Sequence, residues 1–269
     1  MFESIGRSIE LFQTSWGVLM ADKKLLVFPV LSGIISLIVL ATFLLPLIIG
    51  QLFGAAVFYI ALFAFYLISY FVVIFFNTAL ISCVNARLQG KEMSVGEGIT
   101  NALAHFTSIL GWALVSATVG IILHLIRERG GIIGRIASAF VGGAWGLVTF
   151  FVVPVLVLEN KGVFDAIKES TALIRKTWGE SIIGSGSIML VFLIIGILGF
   201  LGVLATLLLG SFTVFGIALV LFIAFVIVLA VVAAAMQGIY VTALYIYAKT
   251  GTVPSVFRSD LIRNAFVQK

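Results

Sequence analysis

The chain has 269 residues, of which 62% are hydrophobic and 10% charged, with a mean hydropathy of +1.28. A soluble domain carries roughly 25% charged residues, so 16 basic and 11 acidic side chains exclude a water-solvated globule of this length. The net charge of +5 lies in short clusters between apolar runs, which fits the flanks of membrane spans and excludes nucleic acid as the expected partner.

The chain opens with Met1 to Arg7, which lacks the basic start, apolar core and cleavage site of a signal peptide, so none is expected. Phe2, Ile5, Ile9, Phe12, Trp16 and Leu19 then recur at steps of three and four, predicting an amphipathic helical arm over 2–20. Beyond it, four stretches contain no Asp, Glu, Lys or Arg: 25–86, 98–126, 136–158 and 181–248. A spanning helix needs about 20 apolar residues, so the two short stretches hold one span each and the two long ones hold two.

Each long stretch carries a turn near its middle, at Gly50 to Gly54 and at Gly210-Ser211. The prediction is therefore an all-α polytopic membrane protein, one domain over 1–269, with about six spans near 27–49, 54–84, 106–126, 134–158, 182–208 and 213–247. Pro29, Pro46 and Pro154 fall near span ends, where a missing backbone donor is tolerated. Thirteen Lys and Arg fall on one side and only Arg127, Arg129 and Arg135 on the other, which places both termini in the cytoplasm.

A second arm, 94–106, starts at Ser94 with Glu97 three residues on, a capping box, and carries Val95, Ile99, Leu103 and Phe106 on one face. The third, 163–178, presents Val163, Ile167, Ser170, Ile174 and Trp178, with Asp165 near its start and Arg175 and Lys176 near its end, as the helix dipole favours. A fourth, 254–266, has no hairpin after it. An arm before each pair of spans suggests a threefold arm-plus-hairpin repeat, with the arms lying at the lipid headgroups.

No charged residue falls deep in a span, which argues against an ion-coupled pump. Catalytic, metal and cofactor motifs are absent, and the single cysteine, Cys83, reads as a small hydrophobe, so the protein is expected to be no enzyme and to need no cofactor. Asn77 and Gln237, with Ser185 and Ser187, are the polar candidates for interhelical hydrogen bonds or a pore lining. Lys168, Arg175, Lys176, Arg127, Arg129 and Arg135 are the candidates for lipid headgroup contact. Gly142 with Gly146, and Gly196, Gly199 and Gly202, predict helix packing seams. The expected partners are membrane lipids, a second copy of the chain or another membrane protein.

Several stretches together resemble a family of uncharacterised prokaryotic multi-pass membrane proteins, a domain of unknown function. They are Ser15-Trp16, Asp22 to Pro29, Thr149 to Glu159, and Tyr245 with Thr250 to Pro254. The block from Pro154 to Trp178, with Asp165 to Ser170, is also similar to the membrane region of some glycerophosphodiester phosphodiesterases. The resemblance implies the fold and a prokaryotic inner-membrane setting, and no activity. Two functions follow as expectations: a membrane-organising or accessory role, and as the alternative a homo-oligomeric channel or passive transporter.

Overall fold

The structure, a computed structural model, describes residues 13–50, 54–209 and 211–252, with the side chains of 47, 49, 50, 176–187 and 209 outside the description. Most of the first arm and all of the fourth therefore lie outside it. The described residues form helices and no strand.

Residues 13–21 are helical (α1), and Asp22 then accepts a hydrogen bond from the Lys24 amide at 3.3 Å to start a single 3-10 turn, Lys23–Leu26. That turn feeds α2 (Val27–Gly50), which carries Pro29 in its first turn. The chain returns through α3 (Ala55–Leu88), entered at Gly54 with φ +101°. At about 1.5 Å per residue, the 34 residues of α3 reach beyond the roughly 30 Å hydrocarbon core.

The predicted capping box forms: the Glu97 amide donates to the Ser94 hydroxyl at 3.2 Å and the Ser94 amide to the Glu97 carboxylate at 2.7 Å. These bonds hold Glu97 in its charged form, below the usual carboxylate range. The cap opens α4 (Val95–Ala104), and only His105 separates it from α5 (Phe106–Arg129). Gly130 and Gly131, the latter at φ +54°, make the turn into α6 (Gly131–Val148).

The predicted fourth span is two helices. Ordinary helical pairing stops at residues 149–151, and α7 (Val152–Leu158) resumes beyond them. The third arm and the fifth span, predicted as separate pieces, are in contrast one uninterrupted helix, α8 (Val163–Ala205). Nothing in Gly179 to Ser181 stops a helix, because a single glycine costs only about 1 kcal/mol there. A 3-10 turn (Thr206–Leu209) and Ser211, which accepts from the Val214 amide at 3.5 Å, lead into α9 (Phe212–Thr250). Gly251 closes α9 in the left-handed conformation, φ +70°.

Six helical segments are long and apolar enough to cross a membrane, and the protein is a multi-pass membrane protein. They pair as hairpins α2/α3, α5/α6 and α8/α9, and α3 touches α2, α5, α7 and α9. Burial is concentrated at one end, here called the base, where α2 begins and α9 ends. In α9 the buried residues run only from Ala235 to Tyr245, whereas Phe212, Val220 and Leu221 stand exposed. Apolar side chains facing outward over the other half of a helix require hydrocarbon and not water as solvent.

The two described arms turn much of their apolar face into the base. Gly98 and Ala102 of α4 are buried, as are Ala166, Ser170, Leu173 and Ile174 of α8, while Leu103, Phe106 and Phe164 stay exposed. A Cβ on Gly98 would lie 2.6 Å from Cys83 Sγ, 3.0 Å from Phe28 Cζ and 3.1 Å from the Ala79 carbonyl. A backbone oxygen cannot rotate away, so Gly98→Ala is expected to lower stability by about 1–3 kcal/mol, checked by thermal denaturation in detergent. Cys83, buried against α4, packs as the small hydrophobe its isolation suggests.

The glycine seams are sparser than predicted. Gly142 faces Leu123, at 3.4 Å from an added Cβ, and Gly199 faces Phe222 and Phe225 at 3.0–3.3 Å, but Gly146, Gly196 and Gly202 have open space beside them. A seam needs a partner helix at that face, and α6 and α8 turn those positions outward.

Candidate functional site

The most elaborate polar construction sits at the base, where the ends of α7 and α9 meet the start of α8. After Leu158 the chain leaves α7 through Glu159 and Asn160, the latter in the left-handed region at φ +51°, which asparagine tolerates better than other side-chain-bearing residues. This turn aims Glu159 at α9. Tyr245 donates its phenol to Glu159 Oε1 at 2.5 Å, and Lys249, one turn further on, lies 3.0 and 3.1 Å from the two Glu159 oxygens.

Glu169 of α8 completes a four-membered ring of alternating charge. Lys249 reaches Glu169 at 2.7 Å, and Lys161 bridges Glu159 at 2.8 Å and Glu169 at 3.2 Å. Burial pushes the Glu159 carboxyl up, but hydrogen bonds from Lys161, Tyr245 and Lys249 outweigh it and hold the pKa down at about 2. Glu169 is lowered by its bonds to Lys249 and Lys161, and Lys161 is raised by its bonds to Glu159 and Glu169. Two cations against two anions leave the ring neutral, with its strongest groups already engaged by one another. It clamps three helices and offers no free nucleophile or base.

Behind the ring, the interruption at residues 149–151 is repaired from α8. The buried Ser170 hydroxyl accepts from the Phe151 amide at 3.0 Å and donates to the Val148 carbonyl at 2.7 Å. Phe151, fully buried, has its ring 6.2 Å from that of Tyr245. The interruption, its repair and the charge ring therefore form one contiguous assembly.

Asn77 of α3 and Gln237 of α9 line one cavity of about 230 Å³ between α2, α3 and α9, together with Phe28, Pro29 and Ser32. Gly238 lets α3 approach, since an added Cβ would fall 2.5 Å from Leu80 Cδ2. Ser185 and Ser187 belong to α8, but their side chains lie outside the described ones.

The basic candidates divide. Arg127 and Arg135 line one cavity beside His124, whereas Arg129 lines a different one with Ile126 and Ile133. Lys168 is exposed and 3.9 Å from Asp165, Arg175 is exposed one heptad on along α8, and Lys176 falls outside the described side chains. His105 bonds the Asn101 carbonyl at 2.8 Å and His124 lies 3.2 Å from Glu128; no group of potential metal ligands occurs among the described residues.

The ring at the base was missed from sequence because Lys161 and Lys249 read as topology-setting charges, and Glu159 and Glu169, far apart in the chain from Lys249, carried no pairing signal. One signal did point to it: Thr149 to Glu159 and Tyr245, which carry the resemblance to the uncharacterised family, and Asp165 to Ser170, which carries the second similarity, supply most of this assembly. No curated protein and no solved structure matches the chain. Residues 55–255, which are 201 of the 269, match a family described as a family of unknown function (DUF6159), and with three quarters of its length inside that match the chain belongs to it.

Proposed function

We propose that the protein is a non-enzymatic component of a prokaryotic inner membrane, with both termini cytoplasmic, whose role is to organise lipid or support a partner membrane protein. The observation that carries this reading is the division of the molecule into a clamped base and hairpins whose outer faces present large exposed side chains such as Leu193, Leu208, Phe212 and Val220. A rigid base with apolar surfaces spread around it suits lateral association within the bilayer. The four charged groups of the ring at the base are engaged with one another.

A homo-oligomeric channel or passive transporter is the second reading, favoured by the convergence of Asn77 and Gln237 on one cavity. Ion and small-solute flux through proteoliposomes, at several membrane tensions, separates the two. Under the accessory reading wild type and the Asn77→Leu and Gln237→Leu variants all stay at the rate of empty liposomes. Flux that either substitution changes by severalfold overturns that reading in favour of the channel.

A further inference from the structure

At the end of the molecule opposite the base, two cavities lie between α3, α5 and α6. One, of about 320 Å³, has Arg127, Arg135 and His124 at its mouth; the other, of about 270 Å³, reaches Trp112 and Trp145. Both are lined by Tyr70, Gly120 and Leu123, so they adjoin at these side chains and together make a groove. Gly120 lies against Tyr70, since a Cβ there would be in ordinary contact with its hydroxyl at 3.4 Å and its ring at 3.5 Å.

From Arg127 to Trp112 is fifteen residues of α5, or about 22 Å at 1.5 Å per residue. That exceeds the roughly 15 Å depth of one leaflet's hydrocarbon. The far end is aromatic, with Trp112 stacked on Trp145 at 5.9 Å and 30°. The mouth is cationic: the hairpin turn carries three arginines and one glutamate, Glu128, which lies 3.2 Å from His124. Among the described residues no carboxylate lies within ion-pair reach of Arg127 or Arg135. Two exposed guanidinium groups without an anion, above a long trough of aliphatic and aromatic side chains with hydroxyls from Tyr70, Ser116 and Thr149 among them, are complementary to one kind of molecule.

We propose that this groove binds a single anionic phospholipid, its phosphate held between Arg127 and Arg135 and one acyl chain lying along Tyr70 towards the Trp112 and Trp145 pair. Guanidinium forks match phosphate oxygens in geometry as well as charge, and a groove of this size falls at the scale of ligand sites. The assignment goes beyond the proposed role and holds whether or not the protein conducts.

The test uses the full chain in detergent with Trp16→Phe and Trp178→Phe, so that only the groove tryptophans fluoresce. Phosphatidylglycerol with brominated acyl chains is titrated in, and phosphatidylcholine with the same chains serves as the comparison. The expected result is quenching by the anionic lipid at a concentration roughly tenfold or more below the zwitterionic one, a preference abolished by Arg127→Gln with Arg135→Gln. Gly120→Leu is expected to reduce quenching by both lipids; the exposed arginine pair decides the matter if that variant fails to fold. Equal quenching by the two lipids, a preference that survives the arginine substitutions, or displacement by glycerol phosphate without tails overturns the proposal.

Discussion

Glu159→Ala is expected to lower the stability of the detergent-solubilised protein by about 2–4 kcal/mol, read as a shift in its thermal or denaturant transition. The Glu159 side chain is only 16% exposed and engages Tyr245, Lys161 and Lys249. Removing one partner of a buried ion pair costs about 3–5 kcal/mol because the other charge is left unpaired. Here Lys161 and Lys249 are about one-third exposed and regain some hydration, so the figure is discounted. Lys161→Ala is expected to cost less, since Lys249 still bridges both carboxylates. Equal losses for the two variants would mean that Glu159 is not the centre of the ring.

The same ring fixes the direction of the pH response. Glu159 has a folded pKa near 2, below its usual 4.5, so its contribution is complete above about 4.5 and disappears as pH falls from there towards 2. Glu169 is lowered as well and adds loss of the same sign. Lys161 is raised, so its share is present below its usual 10.5 and is lost only as pH climbs through the higher folded value. Wild type should therefore hold a plateau between these limits and weaken on acidification, and Glu159→Gln should be less stable on the plateau and lose less below 4.5.

What the sequence makes legible is whatever the bilayer dictates. Span number follows from uncharged length, and six helical segments long and apolar enough to cross a membrane are present; the Ser94 and Glu97 cap follows from a local rule and forms as expected. The polar character of Asn77 and Gln237 is legible in the sequence, and the fold places both on the lining of one cavity. The interruption at 149–151 is legible in part, because Pro154 has no amide for the Phe150 carbonyl and so marks a boundary or kink, although Thr149, Phe150 and Phe151 are themselves uncharged and apolar enough to continue a span. What is not legible is its repair, 19 and 22 residues away in Ser170, a tertiary partner no local pattern announces. For the same reason a third arm read as a separate surface segment proves to be the start of α8, held to the base by the face that was expected to meet lipid.

Ser170→Ala tests that dependence, with an expected loss of about 2–4 kcal/mol. The hydroxyl serves two backbone groups at once, the Phe151 amide and the Val148 carbonyl, and both belong to a stretch where the regular helical ladder is interrupted. The Val152 amide, which an unbroken helix would direct to Val148, instead reaches the Thr149 carbonyl at 3.0 Å. Each buried group left without a partner costs about 1–3 kcal/mol, and Ser170 and Phe151 are both fully buried, so water does not replace the hydroxyl readily. Thr171→Ala, one residue along the same helix, removes a hydroxyl that bonds only the Ile167 carbonyl of its own helix at 2.7 Å and should leave stability nearly unchanged. Amide hydrogen exchange localises the effect: in Ser170→Ala the Phe151 amide should exchange much faster, and the loosened turn of α7 should release Glu159 from Tyr245. If Phe151 remains as protected as in wild type, the interruption is held by packing of its phenylalanines alone and the serine is incidental to the base.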